Sequence, residues 1–217
     1  MLDLAVYALL AVFIFSILFR SLGRVSDVNF KIMELGEISK KDNEEIQTSE
    51  EEGVETLLFS EMSIEKLKES KLALEEIRSK NKDFLLSRFI HGATSAFEII
   101  QKAFAEKDIK TLSHLLDNEL LSFFNKEIER MNESKEIGNL TIVSIDIKEI
   151  LEIKIVKNLA FIALKFVSEQ INFVKNQNGD LISGSTSVIN KFEDYWQFKK
   201  DISSKSPKWL LCSTNFR

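Results

Sequence analysis

The sequence predicts an α+β protein in which an N-terminal transmembrane helix precedes helices packed on a curved antiparallel sheet of about four strands. Three observations predict this fold class. An uncharged apolar segment opens the chain, apolar residues at spacings of three and four follow, and apolar and polar residues alternate towards the end. We expect a membrane anchor over residues 1–24, an acidic disordered linker over 25–62, an amphipathic helix over 63–83 and a folded domain over 84–217.

The apolar segment over residues 4–19 (LAVYALLAVFIFSILF) carries no charge and predicts a membrane anchor. As a helix it is about 24 Å long, short of a hydrocarbon core of about 30 Å, and local thinning of the bilayer accommodates the difference. Positive charges follow the segment, which places the N-terminus outside and the body in the cytoplasm. The residues assigned to the anchor are Leu4, Phe13, Phe19, Arg20 and Arg24.

The alternatives for this segment are a cleaved secretory signal and a mitochondrial presequence. A secretory signal needs a positively charged start, where this chain has Met-Leu-Asp, and presequences are rich in arginine and poor in acid. The flanking charges therefore favour an anchor that is retained.

Composition argues against several classes of protein. The chain has 7 glycines and 1 proline, too few to favour a glycine-rich nucleotide-binding loop. One cysteine, Cys212, cannot form an internal disulfide, which fits a reducing compartment. Residues 25–83 carry 9 basic and 16 acidic side chains, and residues 84–217 carry 18 and 17, so no basic patch predicts a nucleic-acid partner.

Helical spacing begins near the end of the acidic region. We expect this amphipathic helix to pack on the domain, although it could also lie on the membrane or dock a partner. Its apolar positions are Ile64, Leu67, Leu74 and Ile77, with Leu72 beside them.

A longer helix is predicted over residues 84–106, with Asn81 or Asp83 as its N-cap. Gly92 lies in its middle, where glycine costs about 1 kcal/mol relative to alanine. We therefore expect a crossing helix or strand to approach the backbone closely at Gly92.

Two further helices are predicted, one from Asp108 and one from Asp117 or Asn118 to near Gly138. The apolar period then changes from 3.6 to 2, which indicates strands. Asn-Gly-Asp at residues 178–180 is a strong turn signal between them. The first predicted strand covers residues 144–148, and residues 153–155 continue it or form its partner. The other predicted strands cover residues 159–175, 188–199 and 209–214.

Several motifs in the domain stand in a fairly specific order and spacing. They are residues 89–100 (FIHGATSAFEII), 103–105, 108, 112–116, 166–171 (FVSEQI), 178–179, 194–199 (DYWQFK) and 207–211 (PKWLL). From about residue 84 to the C-terminus they resemble the Tim-forty-four-like domain, a family named for the matrix-side scaffold of the mitochondrial inner-membrane import motor. The short anchored form, without a presequence, is similar to the bacterial members.

The sequence departs from the family pattern at three places. Lys107 stands where the family often has glycine, Asn81-Lys82 replaces an Asp-Pro pair, and Tyr195 replaces an aliphatic residue. The resemblance implies a roll of the nuclear-transport-factor-two-like (cystatin-like) kind. It also implies membrane association with anionic-lipid contact, and partners such as a heat-shock-seventy chaperone or the ribosome.

A possible pocket is predicted on the inner side of the strands. Asp194 shares strand parity with Phe192 and Trp196 and so should point inward, where a carboxylic acid in an apolar pocket can act as a base. A carboxylate bonded to backbone amides or a hydroxyl, among rings that simply fill the core, is the favoured alternative. The possible pocket residues are Phe97, Phe104, Phe166, Phe192, Asp194, Trp196 and Trp209.

We expect no enzymatic activity, because no Ser-His-Asp set, P-loop or dinucleotide motif is present. No catalytic residue, metal site or cofactor is predicted either. The predicted function is a membrane-anchored adaptor that recruits a chaperone or protein-translocation component to the cytoplasmic face of the bacterial inner membrane. The alternatives are a ribosome-docking factor for membrane-protein insertion and a domain with a lipid or small-ligand pocket.

Overall fold

The computed structural model describes residues 50–204 and 206–214, which form five helices and five strands. The predicted anchor over 1–24, with Leu4, Phe13, Phe19, Arg20 and Arg24, lies outside them. Among the described helices, none is long and apolar enough to cross a membrane. The helices are α1 (described over 50–58), α2 (Ile64–Lys80), α3 (Leu86–Ala105), α4 (Ile109–Leu115) and α5 (Asn118–Glu133). The strands are β1 (Ile137–Val156), β2 (Leu159–Lys175), β3 (Leu181–Gly184), β4 (Asn190–Asp201) and β5 (Leu210–Ser213).

The strands form one antiparallel sheet in the order β1-β2-β4-β5, and β3 pairs with the far end of β2. The prediction of an α+β fold with helices on an antiparallel sheet is confirmed. The sheet has five strands rather than about four, because the short β3 pairs with β2 beyond Gln170, which lies opposite Asn190, the first residue of β4. β1 and β2 form a long hairpin whose turn is the dipeptide Lys157-Asn158, and three register shifts interrupt their pairing. Bulges of this kind bend a strand.

The prediction that the third domain helix extends to near Gly138 is wrong. This helix, α5, ends at Glu133, because Lys135 takes a φ of 53° that a helix cannot continue. The strand begins at Ile137, so Gly138 lies within β1. An added Cβ at Gly138 would lie 3.6 Å from the backbone oxygen of Ala105, an ordinary van der Waals distance, so β1 passes close to the end of α3 without needing glycine there.

One face of the sheet, called here the inner face, carries the core. Its residues alternate with outward-facing ones along each strand, as expected when a single face is buried. α3 packs against it through every third or fourth residue. The fully buried members of this core include Leu86, Phe97, Ile100, Leu112, Ile150, Ile153, Ile162, Leu164, Phe166 and Leu211.

Helix α2 packs against β1, which is an edge strand of the sheet. Ser70 on α2 is buried, and its hydroxyl accepts a hydrogen bond of 3.0 Å from the backbone N–H of Ile153. This bond satisfies an edge donor that would otherwise be buried without a partner. Ile64 departs from the predicted apolar face, since it is 87% exposed in the first turn.

The last part of the predicted linker is ordered. Residues 50–58 form α1, and Leu58 and Phe59 belong to the same buried cluster as Leu74 and Ile77 of α2. The disordered linker predicted to reach residue 62 is therefore wrong for residues 50–62. The acidic composition of this segment predicts disorder, but two adjacent apolar side chains at the end of α1 are buried in the core and order it.

The close neighbour expected at Gly92 is absent. A Cβ added there would meet nothing within 4 Å in the part of the chain that the structure describes, because Gly92 lies on the exposed side of α3. Nothing in the structure explains the glycine at this position.

Lysines in left-handed backbone conformation close two of the helices. Lys107 follows α3 with a φ of 59°, and Lys135 follows α5 with a φ of 53°. The Lys107 ammonium also donates to the backbone oxygens of Met131 and Glu136, at 3.3 and 2.8 Å. Lys107 therefore ties the end of α5 to the end of α3 through its side chain.

Replacing Ser70 with alanine should lower the free energy of unfolding by roughly 1–3 kcal/mol, because the Ile153 N–H would be left buried without an acceptor. Urea unfolding monitored by circular dichroism measures the change. Ser79→Ala on the same helix is the control, since the Ser79 hydroxyl bonds only to an exposed backbone oxygen. Equal stabilities for the two variants would contradict this role of Ser70.

Lys135→Gly should raise the free energy of unfolding by about 1 kcal/mol, because glycine adopts a positive φ without steric cost. Lys107→Gly gains the same relief but loses the side-chain bonds to α5, so its net gain should be smaller or negative. Thermal and urea unfolding compare the two. A larger gain for Lys107→Gly would show that those bonds stabilise nothing.

Candidate functional site

The aromatic residues predicted to line a pocket pack against one another. The Phe97 ring of α3 lies 4.7 Å from that of Phe166 and 4.5 Å from that of Trp196, measured between centroids. All three side chains are buried. These rings therefore form the centre of the core between α3 and the sheet.

Two other predicted rings, Trp209 and Phe104, lie near the two ends of α3. Trp209 contacts Phe89 near the start of the helix, with ring centroids 4.8 Å apart. Phe104 contacts Phe124 of α5 near the end, at 5.0 Å. The structure thus spreads the predicted set along the whole of α3.

Asp194 lies on the inner face, as strand parity predicted. It is opposite Phe166 in the register between β2 and β4, and it is half-buried. Burial raises the pKa of the Asp194 carboxyl to about 6. Within the described residues, no hydrogen bond or ion pair reaches this carboxyl.

Buried polar groups continue along the inner face from Asp194. Ser168 and Gln170 of β2 are both buried, and the Gln170 amide donates a bond of 2.8 Å to the Ser168 hydroxyl. Phe192 lies opposite Ser168 and is buried as well. On α5, the side-chain oxygen of Asn125 is buried and has no partner among the described residues.

The opposite, outer face of the sheet carries a wide groove of about 510 Å³. Tyr195 lies in it, and its hydroxyl donates a bond of 3.3 Å to Glu193, which also pairs with Lys165. None of the predicted pocket residues lines this groove. Its lining residues are Glu61, Met62, Ser63, Lys66, Glu149, Leu151 and Tyr195.

A charged cluster at the start of α3 was missed by the sequence analysis. The residue before the helix is Leu85, which has no side-chain cap, so neither Asn81 nor Asp83 has the predicted capping role. Glu51 of α1 caps the helix instead, through bonds of 2.8 and 2.7 Å from the N–H groups of Leu86 and Ser87.

Arg78 of α2 completes this cluster. Its guanidinium donates to Glu51 and to Glu55, both at 2.8 Å. Burial opposes ionisation of Glu51, but the hydrogen bonds from Ser87, Leu86 and Arg78 hold the pKa of its carboxyl below the ordinary value. A carboxylate 35 residues before the helix that it caps leaves no local signal in the sequence.

The remaining reactive side chains are dispersed. His91 and His114 are exposed, on α3 and α4. Burial raises the pKa of the Cys212 thiol to about 11, and its sulfur lies 3.2 Å from the backbone oxygen of Gln197, which makes it a poor nucleophile. Within the described residues, no group of three or more His, Cys, Asp or Glu side chains could hold a metal ion.

The sequence of the helices and strands described above was compared with models of known protein families. A family model described as Tim44-like domain matches residues 70–215, from the middle of α2 past the end of β5. The chain belongs to the Tim44-like domain family. This is the Tim-forty-four-like family that the motifs resemble, and the Tim44-like domain supports a scaffold or adaptor type of role in general.

The Tim44-like chain is also similar to an uncharacterised protein of Rickettsia prowazekii (strain Madrid E), with 28% identity over 127 residues. That match covers 57% of this chain, which spans about half of the relative, 49% of its length. Among solved structures, the intermembrane space region of the chloroplast protein ARC6 is similar at a TM-score of 0.42 and 11% identity, covering 58% of this chain and 94% of that one.

Asp194→Asn should stabilise the protein at neutral pH and have less effect in acid. The carboxyl has a pKa of about 6 when folded and about 4 when unfolded, so the folded state binds its proton more tightly and loses stability as pH rises from about 4 to 6. Asparagine removes this loss, and we expect a gain of about 2 kcal/mol at pH 7.5 relative to pH 4.

Urea unfolding of both proteins at the two pH values measures the effect. Asp146→Asn, which changes an exposed aspartate on β1, is the matched control. If Asp194→Asn raises the free energy of unfolding equally at the two pH values, burial does not raise the pKa of this carboxyl.

Proposed function

We propose that this Tim44-like protein is a non-enzymatic adaptor tethered to the cytoplasmic face of the bacterial inner membrane. The observation that carries the proposal is the family match, which spans residues 70–215 and therefore nearly the whole folded unit. In the proposal, the domain recruits a chaperone or a protein-translocation component. We also infer that the bulged sheet belongs to a roll of the nuclear-transport-factor-two-like (cystatin-like) kind.

The tether rests on the apolar segment over residues 4–19 and on Arg20 and Arg24, which follow it. The positive-inside rule predicts a cytoplasmic domain from that arrangement. Ordered structure begins by residue 50, so at most residues 25–49 connect the last of these charges to the domain. Fully extended, such a connection would reach at most about 90 Å, which defines the zone in which the adaptor could act.

Fusions at the C-terminus test the topology. A green fluorescent protein fused there should fluoresce, and alkaline phosphatase fused at the same point should be inactive, because the latter folds only in an oxidising compartment. Both should remain with the membranes after alkaline extraction, and deletion of residues 1–24 should release them. Active phosphatase would contradict a cytoplasmic domain.

Recruitment is tested by crosslinking in cells with the full chain and with the form that lacks residues 1–24. We expect both forms to crosslink to the same chaperone or translocase components. These crosslinked complexes should be found at membranes only with the full chain. Crosslinks to ribosomal proteins alone would favour the ribosome-docking alternative. No protein crosslink with either form would contradict the adaptor proposal.

A second candidate function is a pocket for a lipid or small ligand on the inner face. Asp194 favours it, because a half-buried carboxyl with no partner among the described residues, and a raised pKa, is typical of binding and catalytic sites. Native mass spectrometry of the protein as purified from membranes tests it. A bound adduct that is lost in Asp194→Asn would support the pocket. If the unaltered protein carries no adduct, the pocket proposal is wrong.

A further inference from the structure

We propose that the domain recognises its partner at the open edge of β4, where an extended segment of the partner adds to the sheet and sets a basic side chain opposite Asp194. The β4 edge, as it is called here, comprises residues 190–196. The inference rests on the adaptor function proposed above, and it names the surface and the chemistry through which the adaptor would recruit its partner.

The β4 edge is the part of β4 that pairs on one side only. β4 pairs with β2 along its whole length, from Asn190 to Asp201. On its other side, β5 pairs only with residues 197–199. Within the part of the chain that the structure describes, no strand and no backbone hydrogen bond reaches residues 190–196 from that side. Successive residues of a strand direct their N–H and C=O groups to opposite sides, so about half of the backbone groups here are free to pair.

Features that disfavour strand addition interrupt the other edges of the sheet. Three register shifts bulge β1, and Ser70 takes up the N–H of Ile153 on that strand. β3 is only four residues long and ends at Gly184, whose φ of 79° turns the chain, and on β5 the backbone oxygen of Leu211 accepts a bond from Asp117. Bulges, short strands and covering groups are means by which proteins protect an edge. β4 keeps one register with β2 throughout, so its open edge is suited to pairing.

Asp194 gives the β4 edge its charge preference. It lies on the inner face between Phe192 and Trp196, which are buried, and it is half-buried itself. No hydrogen bond or ion pair reaches its carboxyl within the described residues, and burial raises its pKa to about 6. A strand added beside β4 would bring a Cβ to about 5 Å from that of Asp194. Lysine or arginine at this place would supply the missing charged partner, whereas an apolar residue would bury the carboxylate unpaired.

The neighbours of Asp194 define the rest of the partner segment. Phe192 and Trp196 lie two residues to either side on the same face, so the partner needs apolar side chains two residues before and after its basic one. On the outer face, Glu193 already bonds to Lys165 and Tyr195 and needs no charge from the partner. The partner we infer is therefore an extended segment with apolar, basic and apolar residues at alternate positions. This pattern is symmetric, so it fits either strand direction.

The test uses the purified full chain in detergent and a fluorescent peptide of seven residues, in which threonine alternates with valine, lysine and valine. A second peptide has norleucine in place of lysine. Fluorescence anisotropy should show that the lysine peptide binds at least about tenfold more tightly, because lysine pairs with the half-buried carboxylate. Equal binding of the two peptides would overturn the proposal.

Asp194→Asn in the chain tests the same pair from the other side. This variant should bind the lysine peptide about tenfold more weakly than the unaltered chain does, and it should bind the norleucine peptide at least as well. Asp146→Asn, at an exposed aspartate on β1, is the matched control and should bind both peptides like the unaltered chain. An equal loss in the two variants would show only general attraction between charges and would overturn the role of Asp194.

Pairing through the backbone is tested with an altered peptide. Methyl groups on the amide nitrogens of the lysine and of the next threonine remove one donor from each edge of the peptide, while its side chains stay the same. This peptide should bind at least about tenfold more weakly than the lysine peptide. Amide hydrogen exchange in the chain should also slow at residues 190–196 when the lysine peptide binds. Slower exchange confined to other residues would overturn the proposed surface.

Two further outcomes would assign the β4 edge to another occupant and so overturn the proposal. Residues 215–217 follow β5 in the sequence, and tenfold tighter binding by a chain that ends at Thr214 would show that they occupy the edge. A doubled mass by light scattering, reversed by the lysine peptide, would assign the edge to a second copy of the chain. Because these assays need no membrane and no cellular partner, they can fail while the crosslinking result stands, and the reverse also holds.

Discussion

The cap that Glu51 provides for α3 is the interaction on which the arrangement of the domain depends. α3 covers the inner face of the sheet and carries Phe97, whose ring meets Phe166 and Trp196 at the centre of the core. The first turn of this helix is buried and has no cap in its own sequence. Unpaired donors in such surroundings would be costly, so the docked α1 stabilises the start of α3.

This dependence changes where the folded unit begins. The Tim44-like match starts at residue 70, within α2, but Glu51, Leu58 and Phe59 complete the structure from outside it. α2 is shared between both parts, since Ser70 satisfies the edge of β1 and Arg78 pairs with α1. A domain cut at the family boundary would lose the cap of α3, and a cut at residue 84 would also expose the edge of β1.

Local signals predicted most of the fold, and contacts between distant residues account for what was missed. The alternation in β1 and β4, the caps Asp108 and Asp117, and the inward position of Asp194 all depend on neighbouring residues, and they were anticipated. The docking of α1 depends on partners up to 36 residues away, and its acidic sequence resembles a linker. Of the candidate site, sequence parity located Asp194, and the favoured alternative that the rings simply fill the core agrees with their packing around Phe97. Parity could not show which of the rings contact one another.

The order of elements along the chain has a consequence for synthesis on the ribosome. All five described helices precede the sheet, so their apolar faces leave the ribosome before the strands that cover them exist. The β1–β2 hairpin, closed by Lys157-Asn158, forms only after about three quarters of the chain has been made. During that interval α1 can already dock on α2 and α3, because its partners lie at residues 74–87. The nascent protein thus acquires a capped helical layer first, which shields part of its apolar surface until the sheet is complete.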